Sequence, residues 1–199
     1  MVSKTRDKLL EVARHLFMVK GVEHTTMNDI AAASERGRRT IYTYFKSKRE
    51  IFQAVIERES ETVISQLRAI VESDLSPRDK LHQYLTTRFD ILASSQQRGR
   101  QRPDRYLTGI FARDSRRGER IYQLALAKEA DLFESLLRAG VEAGVFDAEQ
   151  ARRLPTLLHH INVAAVTQHQ MPDTDNAPHT NRRIIDFIIS GVVTRDTNQ

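Results

Sequence analysis

The stretch ERGRRTIYTYFKSK, residues 35–48, gathers Arg36, Arg38, Arg39, Lys46 and Lys48 around Tyr42, Tyr44, Thr40 and Thr43. Cations in this company bind anions: an arginine fork matches a phosphate or a guanine edge, and hydroxyls hydrogen-bond the same partners. Only two strongly apolar residues accompany them, Ile41 and Phe45, four apart and therefore on one side of a helix. A helix this short, with so little to bury, is either a solvated turn at a domain edge or a surface that lies against a polyanion.

Charge distribution bears on the choice. The first 50 residues hold eleven Lys/Arg and six Asp/Glu, and the other 149 hold twenty of each, so the formal +5 resides in the first quarter of the chain. That asymmetry is either chance or the mark of an anionic partner for this segment, a nucleic acid or a membrane surface. The 40% hydrophobic content of the 199 residues can fill a core and excludes a disordered chain. With no cysteine, disulfides, thiolate metal sites and thiol redox chemistry are excluded. No apolar run reaches membrane-spanning length and MVSKTRDKLL lacks the apolar core of a secretion signal, so a cytoplasmic location is expected.

The elements that must position these cations read as helices throughout. Apolar residues recur at helical spacing with no sustained alternation, which predicts an all-α chain of about nine helices. The first spans about 3–20, with Leu9, Val12, Ala13, Leu16 and Phe17 on one face and Gly21 as its stop. Thr26 and Asp29 form a capping box for a second helix carrying Met27, Ile30 and Ala31. A third covers about 37–44, and Ser47 with Glu50 opens a long fourth to about 73. Ser76–Pro77 starts the next, followed by a polar interruption at 94–105 and a short segment around 106–111. Helices follow at about 116–143, from an Asp147 cap to about 169, and at 181–194; Pro155 predicts a late start or a kink, and 171–180 a loop.

Two short helices joined by a tight turn, the second one basic, make a helix-turn-helix. Ile41 and Phe45 anchor the second on Leu16, Phe17, Met27 and Ile30, leaving Arg36, Arg38, Arg39, Tyr42 and Thr43 outward. Residues 5–57 strongly resemble the DNA-binding domain of the TetR family of transcriptional regulators. ARHLF…KG (13–21), TTMNDIA (25–31) and TIYTYFKSK (40–48) carry the resemblance, in order. By position it implies that Thr26 contacts phosphate, that Tyr42 and Tyr44 are DNA-contacting aromatics, and that Lys48 is a phosphate-contacting lysine. Where many members carry AGVSKGT, this chain has SERGRRT (34–40), so Glu35 replaces the usual turn glycine and Arg39 a glycine inside the recognition helix. Placed between the matched halves of the motif, the arginines read as a DNA surface. The set expected on DNA is Thr26, Arg36, Arg38, Arg39, Thr40, Tyr42, Thr43, Tyr44 and Lys48.

The resemblance further implies residues 1–48 as the DNA-binding domain and 49–199 as a helical effector-binding and dimerisation domain. The apolar stripes of the last two helices, with Leu157, Leu158, Ile161, Ala164 and Ala165 on one and Ile184, Ile188 and Val192 on the other, either pair two subunits or close the chain's own core. Pairing is the expected use, giving a homodimer on a palindromic double-stranded operator. Tyr84, Phe89, Tyr106, Phe111, Tyr122 and Phe133, with His82, His159 or His160, are candidates for lining a small-molecule pocket, against the reading of ordinary core. Eight arginines between Arg98 and Arg120 attract an anionic effector or form an exposed loop. No histidine has a glutamate three residues before it, and His-Glu-x-x-His and phosphate-cradling glycine loops are absent, so neither enzyme, metal nor cofactor is expected. A membrane-surface role fails because the apolar residues of the basic segment are needed to assemble its three helices. The expected function is a ligand-released dimeric repressor, with an activator or a regulator without ligand as the alternative.

Overall fold

A computed structural model describes residues 2–100, 116–167 and 177–194. Among the described residues there are eight helices: α1 (Val2–Lys20), α2 (Met27–Ala33), α3 (Arg38–Tyr44), α4 (Lys48–Val71), α5 (Pro77–Arg100), α6 (Arg116–Glu142), α7 (Ala148–Thr167) and α8 (Ala177–Val192). The expected short segment around Tyr106–Phe111 lies outside them.

Local chemistry sets most of the boundaries. The α1 helix ends at Gly21, whose φ of 83° suits glycine and whose N–H bonds the Phe17 carbonyl at 3.1 Å. The Thr25 hydroxyl donates to the Gly21 carbonyl at 2.7 Å, so this buried threonine is satisfied inside the turn. At α2 the capping box is complete: Thr26 Oγ accepts the Asp29 N–H at 3.1 Å and the Asp29 carboxylate accepts the Thr26 N–H at 2.8 Å. The Ser47 hydroxyl accepts the Glu50 N–H, while the Glu50 carboxylate reaches back to the Lys46 N–H instead of that of Ser47.

Three expected boundaries are corrected. The part of the polar stretch that is described, 94–100, does not interrupt α5, which continues through Gly99 to Arg100, because Ser, Gln and Arg are compatible with a helix and one glycine is tolerated; 101–105 lie outside the described residues. The α7 helix does not start late: Asp147 Oδ1 accepts the Glu149 and Gln150 N–H groups, and the helix runs through Pro155. The α8 helix begins four residues before 181, with Pro178 in its first turn, where a missing N–H costs nothing.

The chain divides into two compact units: the first holds the chain to Thr62 together with the described residues between Gly99 and Leu124, and the second holds Val63–Arg98 and the described residues from Ala125 onward. The first unit's core holds Leu9, Ala13 and Phe17 of α1, Ile30 of α2, Ile41 and Phe45, and Ile51, Phe52 and Val55 of α4. Leu67 and Ile70, from the far half of α4, belong to the second core with Leu81, Tyr84, Leu85, Phe133, Leu136, Phe146, Ile185, Ile188 and Val192. The chain after α8 is tied to the turn after α6: the Asp147 N–H bonds the Val192 carbonyl at 2.8 Å and the Thr194 N–H bonds the Val145 carbonyl at 3.0 Å.

Candidate nucleic-acid interface

The α3 helix is held by one face. Ile41 is fully buried and Phe45, which ends the helix with an extended backbone, is 2% exposed. With seven residues and two anchors, the rest of α3 must look outward. Arg36, Arg38, Arg39, Tyr42 and Thr43 are exposed, while Thr40 and Tyr44 are half-buried, with Tyr44 packed against the core. The Arg38 guanidinium lies 5.9 Å from the Tyr42 ring centroid, a stacking that orders both side chains and leaves the guanidinium edge free for hydrogen bonds. Thr43 donates its hydroxyl proton to the Arg39 carbonyl and so offers a partner only acceptor capacity and a methyl group.

The turn ahead of α3 is unusual. The Glu35 N–H bonds the Ala32 carbonyl at 3.1 Å and the Arg36 N–H bonds the Ala31 carbonyl at 3.0 Å, the pair of bonds of a Schellman close. Its left-handed position, normally glycine, is Glu35 at φ 56°. The Glu35 side chain is largely in solvent and lies 3.9 Å from Lys8 Nζ of α1.

Two residues expected on phosphate already have partners. Thr26 gives its hydroxyl proton to Asp29 at 2.8 Å, and the Thr26 N–H bond first, then this hydroxyl bond and Lys20 at 3.6 Å, hold the Asp29 carboxyl below its usual range. Lys48 Nζ donates to the Val22 carbonyl at 2.7 Å and the Glu23 carbonyl at 3.3 Å, leaving one of its three protons unassigned. The ammonium therefore ties the start of α4 to the loop after α1.

In the second unit, Tyr84, Phe89 and Phe133 are core residues. The Tyr84 ring lies 5.1 Å from that of Phe133 and its hydroxyl donates to the Glu129 carbonyl at 3.2 Å, and burial raises its pKa far above the ordinary tyrosine range. His82 is exposed. Tyr106 and Phe111 lie outside the described residues, as do the side chains of Tyr122, His159 and His160. Of the residues expected at a dimer interface, Leu157 and Ile184 are exposed, Ile188 and Val192 are buried in the chain's own core, and the side chains of Leu158, Ile161, Ala164 and Ala165 are outside the described set. Phe187, absent from the expected interface, is 78% exposed. Its signal was present in the spacing: with Ile185, Ile188, Ile189 and Val192 inward, 184 and 187 share the outer face.

The fold and this surface define a helix-turn-helix DNA-binding transcriptional regulator. The family model described as bacterial regulatory proteins of the tetR family matches residues 9–55. The chain is 30% identical over 155 residues to the uncharacterized HTH-type transcriptional regulator YfiR of Bacillus subtilis, covering 74% of this chain and 70% of that one. It is also 30% identical over 93 residues to the HTH-type transcriptional repressor KstR2 of Rhodococcus jostii, covering 47% of this chain and 46% of that protein. A transcriptional regulator of the TetR/AcrR family from Thermobifida fusca shares the fold, with a TM-score of 0.71 at 23% identity over 94% of this chain and 97% of that one. The chain belongs to the TetR family. No helix among the described residues is long and apolar enough to cross a membrane.

Proposed function

We propose that this regulator is a dimeric repressor that leaves a palindromic operator when a small molecule binds its helical domain, and that it works in the cytoplasm. The observation that carries the reading is α3, anchored by Ile41 and Phe45 with Tyr44 packed against the same core, and with Arg38, Arg39 and Tyr42 outward. Arg38 and Arg39 are assigned to base edges in the major groove, and Thr26, Arg36, Thr40, Thr43, Tyr44 and Lys48 to the backbone around it. Residues 1–48 form the reading head and 49–199 the domain for effector and partner subunit. The name of KstR2 supports the sign of regulation. Exposed Leu157, Ile184 and Phe187 support pairing through α7 and α8. An effector shifts the equilibrium only by its difference in affinity for the two states, and α4, which contributes to both cores, is the element that carries the change in spacing between heads.

The test is selection on random duplex DNA, with affinities of the selected sites measured at two salt concentrations. A palindrome with a steep salt slope is expected. Arg38→Ala or Arg39→Ala should cost about 1–3 kcal/mol and relax one base position. Salt-sensitive binding without an enriched site would remove the sequence reader and leave only a polyanion surface.

A further inference from the structure

Arg6 precedes the residues matched by the family model, which begin at Leu9. It continues the inward stripe of α1, Leu9, Leu10 and Ala13, by one turn, yet it is exposed. Its guanidinium carbon lies 5.4 Å from the ring centroid of Phe45, the residue that closes α3. The apolar stem thus runs along the edge of the core and delivers the charged head beside the end of the recognition helix. Stacking uses the face of the guanidinium and leaves its N–H edge available to a second partner.

The neighbouring groups are already engaged. Asp7 faces Arg58 of α4, 3.8 Å from its carboxylate, and Lys8 faces Glu35. The Lys48 ammonium gives two of its three protons to the carbonyls described above. Among the described residues no carboxylate pairs with Arg6. A cation without a counter-ion among the described residues, held in place at the flank of a DNA-reading helix, has one chemically matched partner at that position. We infer that Arg6 is a backbone-phosphate contact, clamping the strand that passes the end of α3 and adding affinity without reading sequence. The inference rests on the DNA-binding reading of α3.

The test compares full-length wild type, Arg6→Met and Arg6→Lys on a selected operator duplex and on random-sequence duplex, across a salt series, with thermal melting as a control. Arg6→Met keeps an apolar stem over Phe45 and removes the charge. Losing one phosphate contact lowers the slope of log affinity against log salt by about 0.9, which at 0.1 M salt is about an eightfold loss. The loss should be equal on both duplexes, and Arg6→Lys should retain most of the slope. A lower melting temperature with an unchanged slope would make Arg6 a packing residue and overturn the inference. Loss confined to the operator would make it a base reader and overturn it equally. Wild type that binds neither duplex at any salt would remove the DNA-binding reading itself, and this inference with it.

Discussion

Glu35 and Gly144 occupy the same place in the same motif. After α6, the Gly144 N–H bonds the Val141 carbonyl and the Val145 N–H bonds the Gly140 carbonyl, with Gly144 at φ 71°. After α2 the same two bonds close around Glu35 at φ 56°, where a Cβ crowds the carbonyl that follows. The strain is about 1–2 kcal/mol, and glycine's extra unfolded-state freedom offsets part of it. Glu35→Gly should therefore stabilise the protein by about 0.5–1 kcal/mol in urea unfolding, since the Lys8 pair it removes is largely solvated. A destabilised variant would show that the carboxylate holds α1 to the turn more firmly than the exposed geometry indicates. The substitution of the turn glycine was legible in the sequence, but that the backbone keeps the glycine conformation was not. Propensity alone argues for a changed turn, and only the hydrogen bonds of Ala31 and Ala32 fix the outcome. Lys48 carries a related lesson, because motif position assigned it to phosphate while its length lets it cap carbonyls 25 and 26 residues earlier.

Helix identity was readable from spacing and caps, whereas helix faces and ends were less so. The Thr26–Asp29 box and the Gly21 stop appear as expected, because each is a local hydrogen-bond problem with a local solution. The stripe Ile184, Ile188 and Val192 mixes two faces: a step of four residues advances 400°, so over two steps the row drifts off the buried side. Tertiary packing chose 185, 188, 189 and 192, and no single-helix pattern could separate that face from its neighbour. The turn between α6 and α7 shows how tightly elements are keyed where they do pack. A Cβ on Gly140 would sit 2.0 Å from Phe146 Cδ2, and that ring is buried in the second core. Neither helix backbone nor ring has room to yield, so Gly140→Ala should destabilise by about 1–3 kcal/mol despite its better helix propensity. An unfolding midpoint that rises instead would mean that the Phe146 side chain repacks freely, against the fixed bonds of Phe146 and Asp147 on either side.

At the scale of the whole molecule, two cores share one helix. The first half of α4 completes the core under α3 with Ile51, Phe52 and Val55, and the second half enters the other core through Leu67 and Ile70. The proposed DNA surface ends at residue 48, but packing of the first unit continues to Thr62. The same chain leaves an apolar outer face on α8, where Phe187 at 78% exposure stands beside Ile184, with Leu157 of α7 also exposed. An exposed ring and two large exposed aliphatic side chains make an apolar surface on these two helices, and in the proposed dimer on a palindromic site a second copy is what covers it. Phe187→Glu places a charge at the centre of that face without touching the inward residues Ile185, Ile188 and Ile189. The variant should keep its helical content and sediment at the 22.9 kDa of one chain. Its binding to a full palindrome should fall to that of a half-site, because each reading head then binds without its partner's contribution to effective concentration. A variant that remains a dimer with unaltered operator affinity would place the two-fold contact elsewhere, and α8 would then close only its own subunit.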